Sequence, residues 1–349
     1  MARTGNKRIL VVGPSWVGDM IMSQCLYKYL KKRHPDAEID VLAPAASLPL
    51  VGRMREVRMG IRIETGHGDL QLGYRRRLGE KLKEREYDKA FVLPNSFKSA
   101  LVPFFADIPV RVGFRGEYRY VLINDMRMLS PRRLPTMTDR FLALAVPAAD
   151  PPPPLEYPEL FVDEANQKSL LELHRLAAGR PVLGLCPGAE YGDAKRWPAQ
   201  HFATLARHAI HAGFDVWLFG GPADIEAGET VTASLTSAES AHCRNLAGAT
   251  RLQDAIDLLS LCSHVVSNDS GLMHMAAAVG CPLTVVYGST TAAFTPPLSA
   301  VATVLSDNLP CSPCFKRTCP LGHKDCLNKL LPERVFPQID AAARKAVRL

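Results

Sequence analysis

The chain has no apolar run of roughly 18 residues or more, so no segment of it is expected to cross a membrane as a helix. The opening residues, Met1-Ala2-Arg3-Thr4-Gly5-Asn6-Lys7-Arg8, lead straight into Ile9-Leu10-Val11-Val12, which is too short for a secretory signal and carries no cleavage site. A cytoplasmic location is the expectation. No zinc-finger pairing, RNA-binding aromatic motif or uninterrupted basic tail points to nucleic acid. Neither a dinucleotide fingerprint nor a P-loop is present. The glycines of Gly13-Pro14-Ser15-Trp16-Val17-Gly18-Asp19-Met20 lack the G-x-G-x-x-G spacing, and no Lys-Ser/Thr pair follows the second. Beyond one run of prolines there is no low-complexity tract and no short-period repeat. What remains is a chain of 349 residues, about two domains long, 47% hydrophobic and 22% charged, which suits a soluble globular protein.

Charge is unevenly spread. Residues 1–150 hold 26 Lys and Arg against 16 Asp and Glu, net +10; of the totals of 42 and 35, residues 151–349 keep 16 against 19, net −3. The first half suits an anionic partner such as a membrane surface or an acidic substrate, or else is a solvated basic surface.

Both halves alternate strand-like and helix-like segments. In the first, strands are expected at 8–13, 38–43, 89–93 and 110–114, and helices at 17–32, 73–85 and 97–105. In the second, strands are expected at 182–186, 215–219, 264–268 and 283–287, and helices at 199–212, 224–236, 252–261 and 271–279. Between them stands Pro147-Ala148-Ala149-Asp150-Pro151-Pro152-Pro153-Pro154, a stiff extended spacer that neither a helix nor a central strand tolerates. The pattern predicts an α/β chain of two Rossmann-like, doubly wound domains facing across a cleft. The domains are expected at 1–146 and 159–330, joined by a Pro-rich linker at 147–158. A C-terminal helix within 331–349 is expected to pack back on the first domain.

The most informative stretch is Asp269-Ser270-Gly271-Leu272-Met273-His274, where a buried strand hands over to a helix. Free N–H groups and the positive end of the helix dipole suit a phosphate there, and His274 lies one turn further in. Cys186-Pro187-Gly188-Ala189-Glu190-Tyr191-Gly192-Asp193-Ala194-Lys195-Arg196-Trp197-Pro198 is a second strand-to-helix turn. Its Lys195 and Arg196 can wrap a diphosphate and neutralise charge on a departing nucleotide. After Phe219-Gly220-Gly221-Pro222, either Asp224 or Glu226 can bind ribose hydroxyls or simply cap a helix. In the basic half, Asp19 sits in the first turn of a helix, where it complements the dipole or serves as a general base. Asn95, Ser96 and Lys98, with Arg115 and Arg119 in a later loop, are candidates for acceptor binding. Cys311-x2-Cys314-x4-Cys319-x6-Cys326 gathers four of the nine cysteines; free thiols and a structural zinc are both open for it.

The blocks Gly13–Met20, 93–105, 187–198 and 268–274, in this order, resemble the ADP-heptose:lipopolysaccharide heptosyltransferases, and among them most closely type II. The resemblance runs from about residue 8 to 345. It implies the GT-B fold of glycosyltransferase family 9. It also implies inverting, metal-independent transfer of L-glycero-D-manno-heptose from ADP-heptose to the first heptose of the inner core, on heptosyl-Kdo2-lipid A. By motif, Asp19 resembles the catalytic base, with Ser15, Trp16 and Gly18 beside it on the acceptor side. Lys195 resembles the phosphate-binding lysine, with Gly188 and Tyr191 in its turn. Asp269, Ser270, Gly271 and His274 resemble pyrophosphate and sugar contacts. Tyr191 stands where some relatives carry a hydroxyl residue four positions before the lysine. The resemblance implies no required cofactor, no nucleic-acid partner and peripheral attachment to the inner face of the inner membrane. The alternatives are a type I or later core heptosyltransferase, a nucleotide-sugar epimerase, and a non-catalytic nucleotide-binding protein.

Overall fold

A computed structural model describes residues 6–64, 68–176 and 179–346, with side chains placed up to 339. Residues 1–5 of the expected N-terminal lead and residues 347–349 of the expected C-terminal segment lie outside the described residues. The chain forms two compact units, Met1–Pro158 and Glu159–Leu349.

The first unit is built on β1 (Arg8–Val12), β2 (Glu38–Pro44), β3 (Met59–Ile63), β4 (Lys89–Val92), β5 (Val110–Phe114) and β6 (Asp125–Arg127). The second uses β7 (Val182–Cys186), β8 (Asp215–Leu218), β9 (Cys243–Asn245), β10 (His264–Asn268), β11 (Leu283–Tyr287) and β12 (Ala302–Ser306). Spatial orders are β3-β2-β1-β4-β5-β6 and β12-β11-β10-β7-β8-β9. Every pairing is parallel. In each sheet the first strand lies beside the fourth and the chain winds outward both ways, the doubly wound order. Its topological switch points fall between β1 and β4 and between β7 and β10.

Central strands β7, β10 and β11 are buried along their whole length; β7 reads as an unbroken apolar run, whereas β10 also buries His264, Ser267 and Asn268. All eight strands expected from sequence are present. The four not expected, β3, β6, β9 and β12, are the edges of the two sheets. Their residues are half-exposed or exposed at most positions, so the apolar signal is diluted.

The helix Val17–Arg33 buries Met20, Ile21, Met22, Cys25, Leu26 and Tyr27. It packs on the helix Met137–Ala143, which starts with a capping box: Thr136 Oγ1 accepts from Asp139 N, and an Asp139 carboxylate oxygen accepts from Thr136 N, each at 3.0 Å. In the final helix, Pro332–Ala346, Val335 and Ile339 enter the second unit's core, against the helix Ala199–His211.

Candidate functional site

In the second unit the residues singled out from sequence collect at the β7/β10 switch point. The loop leaving β7 is anchored by Trp197. Its ring is buried edge-on to Phe202, its indole N–H donates to Leu330 O at 2.7 Å, and its backbone N–H donates to the Asn268 side-chain oxygen at 3.0 Å. Asn268, at the end of β10, is fully buried and donates in turn to Pro187 O and Gly188 O. It therefore laces the two loops that flank the switch point, with its donors and acceptor all used.

That lacing places Lys195 beside Asp269. Lys195 Nζ donates to Asp269 Oδ2 at 2.6 Å, and Thr290 Oγ1 donates to the same oxygen at 2.6 Å. The ion pair is largely buried, with side chains 14% and 5% exposed. Ser270 is the N-cap of the helix Gly271–Ala278 in extended backbone, and its hydroxyl closes none of the helix's first N–H groups. His274 is 4% exposed, and burial pushes its imidazole down to about 4, so it is neutral at neutral pH. A hydrogen bond from this ring to an anion would come from a neutral imidazole.

Gly188 and Asp224 fit as a pair. A Cβ on Gly188 would stand 2.2 Å from the Asp224 carboxyl carbon, so only glycine admits that acid. Asp224 accepts from Gly221 N at 3.0 Å and lies 3.7 Å from Arg196. Glu226 is exposed on the following helix. Of the two candidate acids, the structure brings Asp224 into the loop cluster and leaves Glu226 outside it. Tyr191 turns its hydroxyl to Phe315 O at 3.0 Å, while its ring face lies 5.0 Å from Lys195 Nζ.

In the first unit Asp19 is the third residue of the helix Val17–Arg33 and is half-buried, with Trp16 as an N-cap that makes no side-chain capping bond. Ser15 and Trp16 are exposed in the loop after β1, and Gly18 is half-buried. Asn95 is exposed and Ser96 and Lys98 are half-buried after β4, the other side of that unit's switch point. Arg115 is exposed, its guanidinium 5.7 Å from the Tyr120 ring.

Arg119 is not a surface acceptor contact. It is 1% exposed, and its terminal nitrogens donate to Pro94 O, Ser96 O, Phe114 O, Ser99 Oγ and the Asn95 side chain. It holds the corner that carries Asn95 and Ser96. Burial lowers its guanidinium to about 10.

The thiols of Cys311, Cys314, Cys319 and Cys326 are free and half-exposed; the other five cysteines are buried in packing. Among the described residues no group of three or more His, Cys, Asp or Glu side chains is arranged to hold a metal ion. No described helix is long and apolar enough to cross a membrane.

Sequence reasoning missed Thr290 and Asn268. The signal for the first was the hydroxyl run Ser289-Thr290-Thr291 directly after β11. Asn268 looked like the last residue of an apolar strand.

Two doubly wound units in one chain, one with the Lys195–Asp269–Thr290 cluster at its switch point, have the GT-B glycosyltransferase architecture. The family model of glycosyltransferase family 9 (heptosyltransferase) matches residues 75–325, and the chain belongs to this family. It is 49% identical over 338 residues to lipopolysaccharide heptosyltransferase 2 of Salmonella typhimurium, covering 95% of this chain and 97% of that one. It is 48% identical over 340 residues to the Escherichia coli K12 protein of the same name, covering 96% and 98%. A solved structure of E. coli ADP-heptose lps heptosyltransferase II superposes with a TM-score of 0.88 at 46% identity, covering 97% and 99%. This membership favours a glycosyltransferase over the epimerase and the non-catalytic binding protein.

Proposed function

We propose that the protein transfers L-glycero-D-manno-heptose from ADP-heptose to the first heptose of the lipopolysaccharide inner core, on heptosyl-Kdo2-lipid A, with inversion. The observation that carries this reading is the convergence of Lys195, Asp269, Thr290 and the open helix N-terminus at Ser270 on one switch point. The likeness to relatives named heptosyltransferase 2, and to a solved ADP-heptose lps heptosyltransferase II, supports the choice of donor and acceptor.

In this reading Asp19 takes the proton of the acceptor hydroxyl as its oxygen attacks the anomeric carbon. The bond from that carbon to the diphosphate breaks on the opposite face, and ADP leaves with the bonding pair. Lys195, the N–H groups after Ser270 and the neutral His274 stabilise the departing diphosphate, and no metal is required. Asp224, set against Gly188, is assigned to the ribose. Ser15, Trp16, Gly18, Asn95, Ser96, Lys98 and Arg115 are assigned to the acceptor side. Because that acceptor is lipid-anchored and anionic, the basic first half is assigned to docking on the inner face of the inner membrane.

The test is transfer from ADP-heptose, in chelator, to Kdo2-lipid A and to the same molecule already bearing one heptose. Product on the second acceptor alone is expected. Product on the bare acceptor would move the assignment to type I, and product only after metal is restored would remove the metal-independent step.

A further inference from the structure

The four-cysteine segment forms the outer wall of the donor cradle through its backbone. Phe315 O accepts from the Tyr191 hydroxyl at 3.0 Å, and Arg317 O accepts from Ala194 N at 3.1 Å. Phe315 N donates to Ser289 O at 2.7 Å, and Ser312 Oγ donates to Gly288 O at 2.5 Å. The segment thereby joins the loop carrying Lys195 to the loop carrying Thr290. Its approach is close enough to dictate sequence, since a Cβ on Gly192 would stand 2.3 Å from Arg317 O.

Most of the cradle's charge is already balanced within the protein. A nucleoside diphosphate brings at least two negative charges. Lys195 is matched by Asp269, and Arg196 stands 3.7 Å from Asp224. His274 is neutral. Arg317 makes no ion pair among the described residues, and its guanidinium carbon lies 5.2 Å from the centre of the Tyr191 ring. Lys195 Nζ lies 5.0 Å from the same ring, so the two cations are within about 10 Å of each other with one aromatic side chain common to both.

We propose that Arg317 is a further donor-binding residue, the cation that compensates the diphosphate charge left unmatched by the Lys195–Asp269 pair. The planar guanidinium suits a diphosphate oxygen pair, and the Tyr191 ring holds it in place before the ligand arrives. This rests on the reading of the second unit as the ADP-sugar site.

The experiment is calorimetric titration of the full chain and of Arg317→Gln, Arg317→Lys and Lys195→Ala with ADP and with adenosine, at two salt concentrations. Arg317→Gln is expected to weaken ADP by about tenfold or more, with a flatter salt dependence, while adenosine binds as in the parent. Arg317→Lys should recover part of the loss. Equal losses for ADP and adenosine would make Arg317 a wall residue only and overturn the proposal. So would unchanged ADP affinity in Arg317→Gln beside a loss in Lys195→Ala, which leaves the donor site standing. Failure of the parent chain to bind ADP would overturn the donor site itself and this proposal with it.

Discussion

At the scale of single residues, the site depends on groups that are already paired before a ligand arrives. Lys195→Ala removes a cation and also leaves the Asp269 carboxylate facing the diphosphate with Thr290 alone. ADP affinity, read by calorimetry, is expected to fall at least about tenfold, and turnover with it. Two buried histidines set an acid limit. Burial pushes both His264 and His274 from 6.5 down to about 4. Between those values the unfolded chain holds more protons than the fold, so stability falls as pH falls from 6.5 towards 4; above 6.5 these rings add no pH slope. Urea titrations across that range should show a loss on the order of a few kcal/mol, reduced in His264→Gln. The sequence marked Lys195, Asp269 and His274 because loop ends after strands are visible in spacing. It misread Arg119, because spacing does not tell which way a side chain turns. Arg119→Met leaves several carbonyls without their donor, and a lowered melting temperature is expected, equivalent to about 2 kcal/mol or more.

Secondary-structure elements show the same division between what is local and what is not. Central strands such as β1 and β7 were legible because burial on both faces favours continuous apolar residues. The edges β3 and β12 were not, since one side of each faces solvent and only a neighbouring strand makes them strands. The final helix was legible in its periodicity, and within the second unit its Val335 and Ile339 join the core. Loops obey tighter rules than strands at one point: Gly192 is held at φ 158° against the backbone of Arg317. Gly192→Ala is expected to push the cysteine-bearing segment off the Lys195 loop, which ADP titration would register as weakened binding with little change in melting temperature.

At the scale of the whole molecule, the two halves differ in charge as they differ in assigned substrate, net +10 in residues 1–150 against −3 in the remainder. If the basic half meets an anionic lipid-anchored acceptor, raising ionic strength should raise the acceptor KM far more than the ADP-heptose KM. The proposed function assigns proton removal to one unit and leaving-group stabilisation to the other. The central claim is therefore that Asp19 acts on the acceptor and not on the donor. Its most direct test is steady-state transfer to the mono-heptosylated acceptor by Asp19→Asn, with ADP-heptose affinity measured on the same preparation. The account predicts turnover lower by ~100-fold or more with donor affinity unchanged within about twofold. Turnover equal to that of the parent chain would contradict it.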